Sequence, residues 1–170
     1  MSNSTKKLFL LDAYALIYRS HFAFSQNPRI SSKGVNTGVM FGFTLTLLEI
    51  LEKQNPTHIA VVFDTSAPTF RHERYPEYKA NREETPEDIK IGVPITKDII
   101  RAFNIPVIEL DGYEADDIIG TFAKKAAREN FEVYMMTPDK DFGHLVEEKI
   151  FLYKPAYMGY AVDIMGVEDV

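Results

Sequence analysis

Cysteine is absent from the 170 residues, which excludes disulfides and thiolate zinc sites. Long apolar runs are missing too: no stretch approaches the ~20 residues of a membrane span. The opening "MSNSTKKLFLLDAYAL" has two lysines but only a short apolar run and no clear cleavage site, so it does not read as a signal peptide. A cytoplasmic protein without a membrane partner is expected. Internal repeats and low-complexity tracts are lacking. The histidines His21, His58, His72 and His144 show no ligand spacing, which argues against a histidine-based zinc site. Positive charge is not in excess either: the net charge of −6 argues against a general nucleic-acid binder. That argument fails if the acids are concentrated at one spot that holds cations. What is present, 45% hydrophobic and 26% charged residues, suits one soluble globular domain with a real core.

Apolar runs of strand length recur, and several end in an acid. "KLFLLD" (7–12) ends at Asp12 and "THIAVVFD" (57–64) at Asp64. Between them Tyr14, Tyr18 and Phe22 recur every four residues, a helical stripe that reads as core. A Pro/Gly/Ser-rich loop follows, then a helix "GVMFGFTLTLLEILEKQ" with Thr37 placed to cap it and Asn55-Pro56 to stop it. A helix is expected near 89–103, a strand near 106–110, a helix to about Glu129, and strands "FEVYMMT" and "KIFLYK". "AYMGYAVDIM" resembles a hairpin, and "GVEDV" a helix start. Strand–helix alternation of this kind predicts an α/β fold, a mostly parallel sheet with helices on both faces. The domain is expected over 7–165, after a flexible start at 1–6.

Ligands of open parallel sheets bind outside the carboxyl ends of the strands. Successive junctions there deliver Asp12, Asp64, then Glu114 with Asp116 and Asp117, then Asp139 with Asp141. Taken singly, an acid at a helix start is a cap or a partner of the helix dipole, worth roughly 0.5–1 kcal/mol. Together, carboxylates facing one crevice repel unless protonated or neutralised. Oxygen-only donors suit Mg²⁺, with Mn²⁺ able to substitute. Two sub-clusters suggest a pair of ions, the arrangement that stabilises attacking and leaving oxygens in phosphodiester hydrolysis.

Residues 65–88 are polar, broken by prolines, and too long for an idle connection. Arg71, Arg74, Lys79 and Arg82 can attract phosphates, and Tyr75 and Tyr78 can stack on bases. Their plain alternative is a solvated loop paired with Glu73, Glu77 and Glu83. Arg19, beyond the first acid's junction, either reaches a phosphate or makes a surface ion pair.

"LLDAYALIYRSHFAF", "VVFD", "TFRHERYPEYKANR", "GYEADDIIGTFA" and "TPDKDFGHLV" stand in an order that resembles the 5′-nuclease domain family of bacterial DNA polymerase I. That family lies within the flap endonuclease superfamily and has a PIN-like core. The resemblance implies a Mg²⁺-dependent 5′-3′ exonuclease and flap endonuclease acting on 5′ ends and flaps of DNA and on RNA primers, as a monomer. It implies that Asp12, Asp64, Glu114, Asp116, Asp117, Asp139 and Asp141 hold one or two ions. Tyr78, Lys79 and Arg82 would engage the threaded strand and scissile phosphate, and Arg19 a second phosphate. Segment 65–88 would be the lower part of an arch, disordered until substrate arrives. In the family a helical DNA-gripping region with further aspartates follows, so 166–170 is expected to begin it, and this chain alone to be weakly active or inactive. A phospho-acceptor receiver domain would want paired acids after the first strand, where there is one. A PIN-type RNase or a non-catalytic nucleic-acid-binding module shares the core, but the RNase lacks the "YKANR" segment.

Overall fold

The computed structural model describes residues 5–81, 83–156 and 161–170. Strand β1 (Lys6–Asp12) leads into α1 (Ala13–Phe24) and α2 (Gly38–Gln54), then β2 (His58–Val62). A short α3 (Phe70–Arg74) precedes α4 (Glu87–Ala102), β3 (Val107–Ile108), α5 (Ala115–Arg128) and β4 (Phe131–Met136). A 3₁₀ turn over Lys140–Leu145 precedes β5 (Ile150–Lys154) and β6 (Asp163–Met165).

The strands form one six-stranded sheet in the order β3-β2-β1-β4-β5-β6. Every pair is parallel except β5 with β6. In β1, Phe9 and Leu11 enter one core layer and Leu10 the other, which is why the run is apolar without alternation. The first layer lies under α1, α2 and α4, and the second under α5, giving the expected helices on both faces. Strand order reverses between β1 and β4, so the switch point of the sheet lies at their carboxyl ends.

Helix α2 crosses α1 closely. A Cβ on Gly42 would stand 2.7 Å from Ser20 Oγ and 3.0 Å from Phe24 Cε2. Three returns from helix to strand, after α2, α4 and α5, each use an asparagine in the left-handed region: Asn55, Asn104 and Asn130, with φ of 46°, 58° and 68°. Asparagine tolerates that conformation and helices commonly end there.

Several expectations are corrected. Of the aromatic stripe, Tyr14 and Tyr18 are partly buried and pack against the first core layer, whereas Phe22 is 61% exposed and lies outside it. Thr37 occupies the cap position of α2, but its hydroxyl donates to Arg29 O at 2.8 Å, while Asn36 Oδ1 accepts from Gly38 N at 3.0 Å. Segment 65–88 is not a featureless loop: it contains α3 and further turns to residue 81, and α4 begins at Glu87. The expected hairpin is the β5–β6 pair, with Leu152 opposite Met165, and residues 157–160 of its connection lie outside the described residues. "GVEDV" forms a turn in which Asp169 Oδ2 accepts from Gly166 N at 2.8 Å and Asp169 N donates to Gly166 O at 3.0 Å, contacts of the kind that open a helix. Of the expected flexible start, residues 1–4 lie outside the described residues, and Lys6 already pairs with Phe131. Among the described residues no helix is long and apolar enough to cross a membrane.

Candidate active site

Asp12, Asp64, Asp117 and Asp139 are first local structural devices. Asp12 Oδ1 accepts from Ala15 N at 3.2 Å and caps α1, while its Oδ2 accepts from the Thr137 hydroxyl at 3.0 Å. That second bond spans the switch point, because Thr137 directly follows β4. Thr137 Oγ1 also accepts from Asp139 N at 3.2 Å, and Asp139 Oδ1 from Asp141 N at 2.9 Å. Asp64 Oδ1 accepts from Ala115 N at 2.8 Å, tying the end of β2 to the start of α5. Asp117 Oδ2 accepts from Glu114 N at 3.0 Å, half of a capping box.

With Asp116 and Asp141, these acids then share two adjoining hollows. Asp12, Asp64, Asp116 and Asp139 line the larger, and Asp116, Asp117 and Asp141 the smaller. Asp116 belongs to both. Burial, with the charges of Asp64 and Asp116 adding to it, pushes the Asp12 carboxyl up to about 6, against the lowering effect of its bonds from Ala15 and Thr137. Partial burial and the charges of Glu114, Asp64 and Asp117 raise Asp116 also. Asp117 moves the other way, held below the usual carboxylate range chiefly by Arg71.

The basic segment folds onto these acids rather than onto its own glutamates. The Arg71 guanidinium grips the Asp117 carboxylate with two bonds of 2.6 and 2.8 Å, and lies 3.5 Å from Glu114. Lys79 Nζ donates to Glu114 Oε1 at 2.6 Å, and the Tyr78 hydroxyl to Glu114 Oε2 at 3.1 Å. Glu114 is buried beneath them, 5% exposed. Arg74 lies on the exposed side of α3, its guanidinium 5.9 Å from the Phe70 ring centre. Tyr75 is exposed and its hydroxyl donates to Glu77 at 3.0 Å. Arg82 lies outside the described residues. Arg19 donates to Thr46 Oγ1 at 3.2 Å and to the Ala156 carbonyl, so its guanidinium ties α1 to α2 and to the segment after β5.

The carboxylates suit a hard divalent cation by donor type, all oxygen, and because burial, with the neighbouring acids adding to it, raises Asp12 and Asp116. Among the described residues no three of them converge closely enough to form a ready-made cage. Glu114 is turned instead to Lys79, and Asp117 to Arg71.

Sequence reading missed part of the cleft wall. Tyr14, Tyr18, His21 and Phe22 line it, and His21 Nδ1 lies 2.7 Å from Asp88 Oδ2 of α4. The available signal was position: α1 starts at the acidic edge, so one face of its early turns looks along that edge. Thr137 was also missed, although a threonine two residues before an aspartate is a common side-chain turn.

A family model for the N-terminal, resolvase-like domain of 5′-3′ exonucleases matches residues 7–170. DNA polymerase I of Bacillus subtilis is 43% identical over 145 residues, covering 85% of this chain and 16% of that protein. The 5′-3′ exonuclease of Aquifex aeolicus is 39% identical over 150 residues, covering 88% of this chain and 51% of that one. The chain thus spans about a sixth of the polymerase relatives and about half of the Aquifex protein. Among solved structures, the T5 5′-exonuclease with bound zinc ions superposes with a TM-score of 0.67, at 18% identity, over 93% of this chain and 58% of that one. The catalytic core of Rad2 in complex with a DNA substrate gives 0.58 at 19% identity, over 97% and 49%. These two likenesses establish a shared α/β fold.

Proposed function

The chain belongs to the family of 5′-3′ exonuclease N-terminal, resolvase-like domains, and from that premise we propose that it is the catalytic core of a metal-dependent 5′ nuclease. Its substrates are DNA 5′ ends and flaps, RNA primers included. Mg²⁺ is the natural ion, and the protein works as a cytoplasmic monomer within a polymerase I-type or free-standing exonuclease chain. The observation that carries this reading is the gathering of Asp12, Asp64, Asp116 and Asp139 from separate strand ends into one cleft that Lys79 also lines.

Asp12, Asp64, Asp116 and Asp139 would hold the cation, with Glu114, Asp117 and Asp141 beside it. Such an ion, when bound, supplies the positive charge that makes water a nucleophile near neutral pH and steadies the oxygens of the phosphodiester. The protein's own part is orientation. Ala15 N and Thr137 Oγ1 fix the two oxygens of Asp12, and Ala115 N fixes one of Asp64, so the donors are aimed before anything binds. Lys79 and Arg82 bring positive charge to the scissile phosphate, about 2–4 kcal/mol each by comparison with other electrostatic catalysts. Exposed Phe22 and the partly buried Tyr14 and Tyr18 offer ring surface to an unpaired base. Water attacks phosphorus in line and the bond to O3′ breaks, leaving a 5′-phosphate and a 3′-hydroxyl.

The test is cleavage of a 5′-labelled flap duplex with Mn²⁺ or EDTA, by this chain and by one extended through the family's downstream helical region. Metal-dependent cutting by either chain is expected, reduced about a hundredfold or more by Asp116→Asn. Cutting that survives EDTA, or an Asp116→Asn protein of full activity, sinks the assignment. Metal-independent binding without cleavage by both chains would make it a nucleic-acid-binding module.

A further inference from the structure

The strap between β2 and α4 is held to the body of the protein in an unusual way. None of the α3 residues is buried. Its apolar hold includes Phe70 against the Tyr113 ring, 5.9 Å between centres, and Phe70 N donates to Gly112 O at 3.2 Å. Ionic contacts dominate the rest. Arg71 takes both oxygens of Asp117, and Lys79 and Tyr78 take one oxygen each of Glu114. Lys79 makes its contact with a backbone φ of +58°, a left-handed conformation that costs a non-glycine residue energy unless its surroundings hold it there. Little buried apolar surface, a strained link and exchangeable ionic bonds are the marks of a unit that opens at low cost.

We propose that residues 70–79 form an internal cation latch. Arg71 and Lys79 neutralise Asp117 and Glu114 while the acids hold no metal. A divalent cation drawn to those carboxylates displaces the two side chains and releases the strap. Arg71 and Lys79 are then available to the substrate's phosphates. The latch rests on the metal-dependent reading above. It explains why the acids do not converge on one another: two of them are committed to the strap. It also couples two binding events. Because linkage is reciprocal, a polyanion that draws off Arg71 and Lys79 raises the affinity of the acids for metal by the same factor that metal raises affinity for the polyanion.

Two measurements test it together. Limited trypsin digestion in EDTA and in Mn²⁺, with cuts mapped by mass, reports the strap directly, since Arg71, Arg74 and Lys79 are cleavage sites. Mn²⁺ titration followed by electron paramagnetic resonance compares the wild type with Arg71→Met. Mn²⁺ is expected to speed cleavage in the strap severalfold relative to cuts elsewhere, and Arg71→Met to bind Mn²⁺ roughly tenfold more tightly, the worth of a lost charge-assisted pair. If Arg71→Met fails to fold, Arg71→Lys, which keeps the charge without the two-pronged grip, shifts affinity the same way by less. The latch requires both shifts. Mn²⁺ binding of equal strength in wild type and variant, or strap cleavage that Mn²⁺ leaves unchanged or slows, overturns the latch and leaves the metal-dependent reading standing. No Mn²⁺ binding by any of the proteins overturns both.

Discussion

Asp116 and Asp117 are adjacent in the chain and face different neighbours. Asp117 is bound by Arg71 and by its own helix start, whereas Asp116 looks into both hollows among other acids. The same substitution therefore acts with opposite sign at the two positions. In EDTA, Asp116→Asn is expected to leave stability within about 0.5 kcal/mol of wild type, on the stabilising side. Asp117→Asn is expected to cost about 1–2 kcal/mol, because Arg71 loses a charged partner in a partly buried setting. Urea unfolding of the two proteins side by side decides this, and a stability order with Asp116→Asn below Asp117→Asn refutes it. The acids themselves were legible in the sequence, since each ends an apolar run or opens a helix. Their division into neutralised and unneutralised members was not. Arg71 and Asp117 stand 46 positions apart, and the local sequence offered the basic segment only phosphates or its own Glu73, Glu77 and Glu83 as partners. Phe22 misled for a related reason: a spacing of four says that residues share a helix face but not what that face meets.

Among the elements, α1 carries one wall of the cleft and is held in place by α2. Gly42 sets how closely they pack, because a methyl group there meets Ser20 and Phe24 at 2.7 to 3.0 Å. Ser20 is buried and its hydroxyl already donates to Leu16 O, so it cannot easily give way. Gly42→Ala, which in an open helix would stabilise, is expected to destabilise by about 1–3 kcal/mol through overpacking. Thermal melts of the variant check this, and an unchanged or raised Tm contradicts the close-contact account. Long elements were readable from their periodicity: α2, α4, α5 and the buried strands lie close to where the pattern put them. Short ones were not. α3 has five residues, none buried, and so leaves no apolar trace, and β3 shrinks from the expected five positions to two. Their conformations are set by what they dock against, which a local window does not contain.

At the level of the whole molecule, the reversal of strand order between β1 and β4 concentrates negative charge where the sheet splits, and folding stability registers that charge. Asp12 and Asp116 bind protons more tightly in the folded protein than in the unfolded chain. For Asp12 the folded state carries the extra proton between about pH 4 and 6 and stability falls as pH rises through that window, with Asp116 acting in the same direction. For Asp12 the loss is at most about 3 kcal/mol, an upper bound because the cleft faces water. Asp117 works the other way, its depressed pKa giving stability that is lost only as pH drops below the ordinary carboxylate range. Melting profiles in EDTA for wild type and Asp12→Asn should accordingly converge near pH 4 and separate by pH 7, with the variant the more stable; parallel profiles would show that Asp12 is not strained. The parallel architecture behind this was legible from strand–helix alternation, while the strand order that locates the split was not, since nothing local says on which side of β1 the fourth strand will lie. The rim opposite the acids has a different character. There Asn55, Asn104 and Asn130 perform the same manoeuvre at three corners, and none of them lines either hollow. A mutation that improves one of these corners does not have to negotiate with the cleft, whereas a change at Asp12, Asp64 or Asp117 disturbs the start of a helix along with the acid it removes.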